Sequence, residues 1–401
     1  MGRWLAIVGI GDDGLAGLND AARRLIEQAE VLVGGARHLA MVPADQRERL
    51  IWTMPLQLQV HQILGYRGRR VCVIATGDPL WHGIGVTLAQ HVPMAEMVIL
   101  PAPSAYSLAA ARLGWPLADL DAITLHGRPL DLLSAYLQPG RRILALSEDG
   151  ATPAQVAALL CRRGYGASRM TVLAQMGSRN ERVVRGIAAD WSAAGIDDLN
   201  TIAIDCVADP GTALLAHVPG LPDDAFRHDG QLTKREVRAA TLAALAPVPR
   251  QLLWDVGAGA GSVAIEWLRA HRDCRAVAIE HHAGRLDMIA ENAAVLGVPQ
   301  LKIVAGRAPE ALDGLEAPDA IFIGGGATAA GLFEACWPAL KPGGRLVANA
   351  VTLESERALF LWRDRVGGAL VRLGIERATT IGGFSAWHPF RPVVQFQVTK
   401  P

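Results

Sequence analysis

The sequence predicts an α/β protein of at least two domains, and three observations lead to that fold class. Short apolar runs alternate with helix-spaced segments along most of the chain, the pattern of parallel sheets covered by helices. Two of the runs open directly into glycine turns, Gly9-Ile-Gly11-Asp-Asp-Gly14 and Gly257-Ala-Gly259-Ala-Gly261. Between the halves, Asp205–His228 is rich in Pro, Gly and Asp with no sustained period, and reads as a connection. The expected division is 1–207, a connection over 208–228, and 229–401. With 401 residues, 51% of them hydrophobic and 19% charged, each half can bury a core of its own.

Composition excludes several classes. The formal net charge is zero, so no global field draws the chain to nucleic acid or an anionic membrane; an anionic ligand must be met by local Arg, Lys and His. No apolar run reaches the ~18–20 residues needed to span a bilayer. The N-terminal apolar run passes straight into a glycine turn and reads as a first strand, not a leader. Cys72, Cys161, Cys206, Cys274 and Cys336 are scattered without a C-x-x-C, which argues against a disulfide framework or a zinc site. No metal site and a cytoplasmic setting are therefore expected.

In the N-terminal half, Trp4–Ile10 is a buried strand. Gly9–Gly14 matches G-x-G-x-x-G, but the next strand, Val31–Val33, ends in Gly34-Gly35 with no acid for a ribose. Two aspartates inside the loop would repel a pyrophosphate. A structural or substrate-facing turn is therefore preferred; the alternative is an NAD(P) site and a dehydrogenase. Leu18–Ala29 is helical by spacing. Val71–Ala75 is a strand opening into Gly77-Asp78-Pro79 and Gly83-Ile-Gly85, at the sheet edge where open α/β folds hold ligands. Pro103-Ser104 precedes an Ala-rich helix, Ala105–Leu113, with Ser104 as its cap. Strands Ile123–Leu125 and Arg141–Leu146 follow. Thr152 is expected to cap a helix over Pro153–Arg163.

These pieces, in this order, resemble the class III tetrapyrrole methylases over about Trp4–Val207. The carriers are Val8-Gly9-Ile10-Gly11, Gly77-Asp78-Pro79, Pro103-Ser104 and Thr152-Pro153. Leu125-His126-Gly127-Arg128 is similar to the branch acting on precorrin-6 intermediates. The resemblance implies a two-subdomain fold with S-adenosylmethionine in the cleft, against Gly77, Asp78, Pro79 and Ser104. It places the Gly9–Gly14 loop toward a tetrapyrrole. His126 is either a substrate contact or a strand-end histidine.

In the C-terminal half, elements alternate cleanly: strand 252–256, helix 262–270, strand 276–279, helix 284–296, strands 301–304 and 319–323, helix 328–337, strand 344–349. Antiparallel edge strands are expected over 369–376 and 393–399. Thr233 with Glu236 forms the pattern of a capping box for a helix over Arg235–Leu245. Gly257 allows a tight turn, Gly259 a close backbone approach, and Gly261 packing of the following helix. Glu280 ends the next strand and is placed to accept from ribose hydroxyls. Asp255, two residues before Gly257, suits a cationic amino-acid ligand better than a pyrophosphate. Asp-x-Gly-x-Gly-x-Gly followed by Glu280 resembles a class I S-adenosylmethionine methyltransferase, a Rossmann-like fold.

Thr233-Lys234-x-Glu236-Val-Arg238, the glycine motif, Gly306-x-Ala308-Pro309-Glu310 and Ile323-Gly-Gly-Gly narrow this further. Over about Gly230–Lys400 they resemble the decarboxylating precorrin-6 methyltransferase family. That resemblance implies a cofactor site lined by Thr233, Gly257, Gly259, Gly261, Glu280 and Ala308. Arg307 departs from it: the family usually has Asp there, and Arg cannot accept a bond from the adenine amino group. Lys234, Arg235 and Arg238 are candidates for gripping substrate carboxylates, with His281, His282, Arg285, His388 and Arg391 weaker.

Together the resemblances imply a fused bifunctional methyltransferase of cobalamin biosynthesis. It would carry one S-adenosylmethionine per domain and act on a precorrin-6 intermediate. The N-terminal domain would methylate C5; the C-terminal domain would methylate C15 and remove the ring C acetate carboxyl, giving precorrin-8. A cobalt-containing substrate, or a half reduced to binding tetrapyrrole, are the alternatives. A homo-oligomer is expected by analogy alone.

Overall fold

The computed structural model describes residues 2–52 and 56–401. It separates into two compact units: residues 1–130 with 139–212, and residues 213–401 with 131–138.

The first unit holds two sheets. One is built from β1 (Leu5–Ile10), β2 (Val31–Gly34), β3 (Glu48–Ile51), β4 (Val71–Thr76) and β5 (Met97–Leu100), in the order β3-β2-β4-β1-β5. Its pairings are parallel, and β1, β2 and most of β4 are buried. Such strands read as unbroken apolar runs, because helices cover both faces of a parallel sheet. The other sheet is built from β6 (Asp121–Thr124), β7 (Arg142–Leu146), β8 (Arg169–Ala174), β9 (Arg182–Ile187) and β10 (Asn200–Asp205), in the order β6-β7-β10-β8-β9. Only β6 and β7 pair in parallel here. The helix Ala105–Leu113 starts where expected, with the Ser104 hydroxyl accepting from Ser107 N–H. Thr152 does not cap the helix Thr152–Arg162. Asp149 does, accepting from the N–H groups of Ala151 and Thr152, and Thr152 Oγ1 instead accepts from Glu148 and Asp149.

The second unit is one seven-stranded sheet. Its strands are β11 (Leu252–Val256), β12 (Arg275–Glu280), β13 (Lys302–Ala305), β14 (Ala320–Ile323), β15 (Arg345–Ala350), β16 (Ala369–Leu373) and β19 (Val393–Thr399). The order β13-β12-β11-β14-β15-β19-β16 reverses direction between β11 and β14, with only β19 antiparallel to its neighbours. The helix Ser262–Ala270 stands as read, whereas the helix expected over 328–337 runs Leu332–Ala339. A helix over Leu353–Val366 and a hairpin of β17 (Glu376–Ile381) and β18 (Phe384–Pro389) were not anticipated.

The connection is not a free linker. Asp209 and Thr212 bond the backbone at Gly164–Ala167 in the first unit. Beyond them, Leu221 and Phe226 are buried in the core of the second unit. Among the described residues no helix is long and apolar enough to cross a membrane.

Candidate active sites at two sheet edges

In the second unit the strand order reverses at β11 and β14, and open α/β sheets hold ligands at such a switch point. Three loops meet there. Gly257, Gly259 and Gly261 follow β11 with φ of 71°, 59° and 78°. A side chain at Gly257 would lie 3.1 Å from the Gly325 carbonyl oxygen, so the loops after β11 and β14 touch through bare backbone. The loop after β13 joins through Gly306 N–H, which bonds the Glu280 carbonyl.

Two buried carboxylates organise this edge. Glu280 accepts from Gly259 N–H at 3.0 Å with one oxygen, and from His281 and His282 N–H with the other. It thus ties the glycine loop to β12 and keeps lone pairs for a further donor. Asp255 Oδ2 accepts from Ala264 N–H, in the first turn of the helix Ser262–Ala270, while its Oδ1 is buried without a partner. Burial, aided by the nearby Glu280 charge and opposed by the Ala264 bond, pushes the Asp255 carboxyl up to about 7.

The Gln231 carbonyl lies on the approach to the glycine loop, 3.5 Å from where a Gly259 side chain would begin; Thr233, two residues on, is half-buried. The expected capping box at Thr233 and Glu236 is absent. Arg235 N–H bonds Asp223, and Glu236 pairs with Arg377. Arg238 also departs from expectation. It is fully buried, bonded to Glu266 at 2.6 Å, to the carbonyls of Thr233 and Leu221, and placed over the Phe226 ring. A guanidinium committed in this way cannot grip a substrate carboxylate. Lys234 is half-buried just before the helix, and Arg285 is engaged by Asp229. Arg307 is exposed on its loop and Ala308 is half-buried beside it.

In the first unit a cavity of about 690 Å³ opens between the two sheets. Gly77, Asp78, Ser104 and His126 all line it. Pro79 does not; it packs under Gly83 and Gly85, where any side chain would meet its carbonyl at 2.7 Å. Asp78 shapes the loop by accepting from Leu80 N–H. His126 is exposed, 3.2 Å from Glu148.

The Gly9–Gly14 loop has no helix start to offer a pyrophosphate. A 3-10 turn follows it, and the first α-helix begins at Asp20, capped by Asn19. Asp12 pairs with Arg37. Gly9 is required by packing: a Cβ there would fall 1.9 Å from the Gly77 carbonyl oxygen. The dehydrogenase alternative loses its structural basis. Two other features of this cavity are not legible in the sequence. Trp81 lies 5.0 Å from Tyr106, and His38 lines the wall after β2; neither sits in a motif.

Residues 5–191 match the family of tetrapyrrole (corrin/porphyrin) methylases, and residues 224–400 match the precorrin methyltransferase domain. A Sinorhizobium sp. protein named precorrin-6Y C(5,15)-methyltransferase (decarboxylating) is 50% identical over 99% of this chain and 96% of its own length. The chain belongs to this methyltransferase family. Shorter relatives match about half of it. A Salmonella typhimurium cobalt-precorrin-7 C(5)-methyltransferase is 30% identical over 47% of this chain and 94% of its own length. A Pyrobaculum aerophilum protein named as a probable cobalt-precorrin-6B C(15)-methyltransferase (decarboxylating) is 34% identical over 44% of this chain and 93% of its own length. Family members of this kind are S-adenosylmethionine-dependent C-methyltransferases. The unpartnered Asp255 oxygen is complementary to a cationic ligand. The N-terminal cavity has the size of a small-molecule site.

Proposed function

We propose that the chain methylates precorrin-6Y at C5 and C15 and removes the ring C acetate carboxyl as carbon dioxide. In this reading the N-terminal unit serves C5, and the C-terminal unit serves C15 and the decarboxylation. Each unit binds its own S-adenosylmethionine. The observation that carries the reading is the presence of two ligand-ready edges in one chain, on separate sheets. It is supported by half-length relatives named for one methylation each. A cobalt-free substrate is preferred because the full-length relative is named for one.

S-adenosylmethionine, when bound, supplies an electrophilic methyl on a sulfonium. The residues of the chain hold, orient and exclude water. At the C-terminal edge, Gly257, Gly259 and Gly261 give close backbone approach, Glu280 takes the ribose hydroxyls, and Asp255 faces the cationic end. The Gly324–Gly326 loop leaves room for a large flat substrate. Positioning of this kind can lower a barrier by ~7–11 kcal/mol. In the decarboxylation, the C–C bond electrons of the departing carboxylate enter the ring system made cationic by methylation. Lys234 is suited to holding one of the remaining carboxylates. At the N-terminal edge, Gly77, Asp78 and Ser104 take the corresponding place.

The test is product analysis of the full chain with precorrin-6Y and S-adenosylmethionine. Wild type should add two methyl groups and lose one carbon dioxide. Gly77→Val should lose only the C5 methyl; Gly257→Val should lose the C15 methyl and the decarboxylation together. A single variant that removes both methylations with the fold intact overturns the two-site assignment. Calorimetry should find two S-adenosylmethionine sites per chain; one site would overturn the count. The same reading carries a cytoplasmic, homo-oligomeric enzyme, and sedimentation would test the second point.

A further inference from the structure

His38 follows β2, on the wall of the N-terminal cavity. Its Nε2 lies 3.1 Å from an Arg37 nitrogen and 2.8 Å from Thr76 Oγ1. Arg donates and never accepts, so Nε2 must be the accepting nitrogen. The neutral ring therefore carries its proton on Nδ1. The arrangement is braced: Asp12 holds Arg37, and Arg37 also reaches Thr76. Burial, together with the Arg37 charge, pushes the imidazole down to about 4, so the ring stays neutral under physiological conditions.

The Nδ1 atom is buried and has no hydrogen-bond partner. A buried donor without an acceptor costs stability, and such groups in native proteins call for an explanation. Gly35, also on the cavity wall, has a φ of −63° that any residue could adopt, yet it leaves open the space where a side chain would begin, 3.4 Å from Nδ1.

The position along the sheet points to which ligand is met. In the order β3-β2-β4-β1-β5, His38 belongs to the β2 end and Ser104 to the β5 end. The Gly77 and Ser104 loops, where a Cβ at Gly77 would lie 3.1 Å from Ser104 Cα, are the place assigned above to the methyl donor, and His38 borders that place through Thr76, the residue before Gly77. Gly35, His38 and Trp52 line the β2 side of the same cavity. A tetrapyrrole of this class carries several side-chain carboxylates, and a carboxylate oxygen is the strongest acceptor an uncharged N–H can meet.

We propose that His38 is a substrate-binding residue whose Nδ1–H donates to a side-chain carboxylate of the tetrapyrrole, held in that tautomer by Arg37, Thr76 and Asp12. The inference rests on the reading that this cavity takes the tetrapyrrole for C5 methylation. Three variants of the full chain test it: His38→Phe, His38→Asn and Gly35→Ala. His38→Phe removes the donor and should raise KM for the tetrapyrrole in C5 methylation about tenfold or more, with kcat far less affected. His38→Asn places an amide N–H near the Nδ1 position and should recover part of that loss. Gly35→Ala puts a methyl against Nδ1 without backbone strain and should raise KM in the same direction. Calorimetric affinity for S-adenosylmethionine should stay at the wild-type value in all three.

An unchanged KM in His38→Phe with a wild-type melting profile overturns the proposal. So does a weakened affinity for S-adenosylmethionine with KM unchanged, which would assign the donor to the methyl donor's own carboxylate. If His38→Phe does not fold, Gly35→Ala and the nitrogen NMR of the wild-type imidazole decide; a ring proton found on Nε2 overturns the proposal. Failure of the underlying reading is distinguishable, because wild type would then transfer no methyl to C5 while the tautomer could still be read.

Discussion

Replacing Arg238 by Met tests the claim that this residue is a core strut and not a ligand for substrate. The two side chains are of similar length, so the change removes charge and hydrogen bonds more than volume. Arg238 is fully buried and Glu266 is 3% exposed, with their contact at 2.6 Å. Without the guanidinium, the Glu266 carboxylate keeps only the N–H groups of Gly220 and Leu221. The carbonyls of Thr233 and Leu221 lose a donor as well. Breaking a buried ion pair by removing one partner costs about 3–5 kcal/mol, mostly for the charge left behind. For a unit of this size each kcal/mol moves the melting point by about 2–4 °C, so a drop of roughly 6–20 °C in the C-terminal transition is expected. Differential scanning calorimetry reads it. Adding Glu266→Gln removes the stranded charge and should return part of the loss. An Arg238→Met protein melting within about 2 °C of wild type would refute the strut.

Two further perturbations follow from the same geometry. The Asp255 carboxyl moves from about 4 in the unfolded chain to about 7 when folded, so the protonated form favours the fold. That contribution is fully present below about pH 4 and is lost as pH rises through about 7; Asp255→Asn should therefore flatten the fall in melting temperature of the C-terminal unit between those values, and an unchanged slope in melts of the two proteins would exclude Asp255 as the titrating group. Gly9→Ala forces a methyl toward the Gly77 carbonyl, 1.9 Å from an ideal Cβ, and toward Ala102 N at 2.6 Å. Both are backbone atoms, so the Gly77–Pro79 loop must shift; C5 methylation should fall while C15 methylation persists, and equal retention of both in product analysis would remove Gly9 from the loop's support.

The sequence carried most of the parallel scaffold because each buried strand is a short apolar run ending in a turn. The helices over 105–113, 235–245 and 262–270 match their expected bounds, because residue spacing, the Ser104 cap of the first and Gly261 before the third act within a few residues, although the expected cap of the second is absent. The placement of the glycine loop and of Glu280 was legible for the same reason: a strand, a turn and the next strand end set it. The β17–β18 hairpin was not. Its strands are mostly exposed, so they lack the alternation a half-buried strand shows. The helix Leu353–Val366 buries Leu359 and Trp362 but leaves Leu353, Phe360 and Leu361 exposed, so its apolar residues do not mark one face.

The misread residues share a different cause. Thr233 and Glu236 have the spacing of a capping box, but Asp223 and Arg377 compete for the same groups from 12 and 141 positions away. Arg238 reads as a candidate grip for a substrate carboxylate until Glu266, 28 positions on, is folded against it. His38 shows nothing in sequence, because its role depends on Thr76 from another strand and on which ring nitrogen Arg37 leaves protonated. Local pattern reports what a residue can do with its neighbours in the chain. A polar side chain that becomes buried is decided by distant partners, and the same buried groups that are spent on the fold (Arg238, Glu266) or left unspent (Asp255, His38) separate structural roles from ligand-facing ones. Among the described residues, two of the unspent buried atoms, Asp255 Oδ1 and His38 Nδ1, belong to residues beside the two sheet edges proposed to hold ligands; others, such as Trp254 Nε1, Arg269 Nε and Arg345 Nε, have no such place. A buried polar atom left unpaired costs stability unless something else pairs it, so His38→Phe and Asp255→Asn test whether a ligand does so at these two positions.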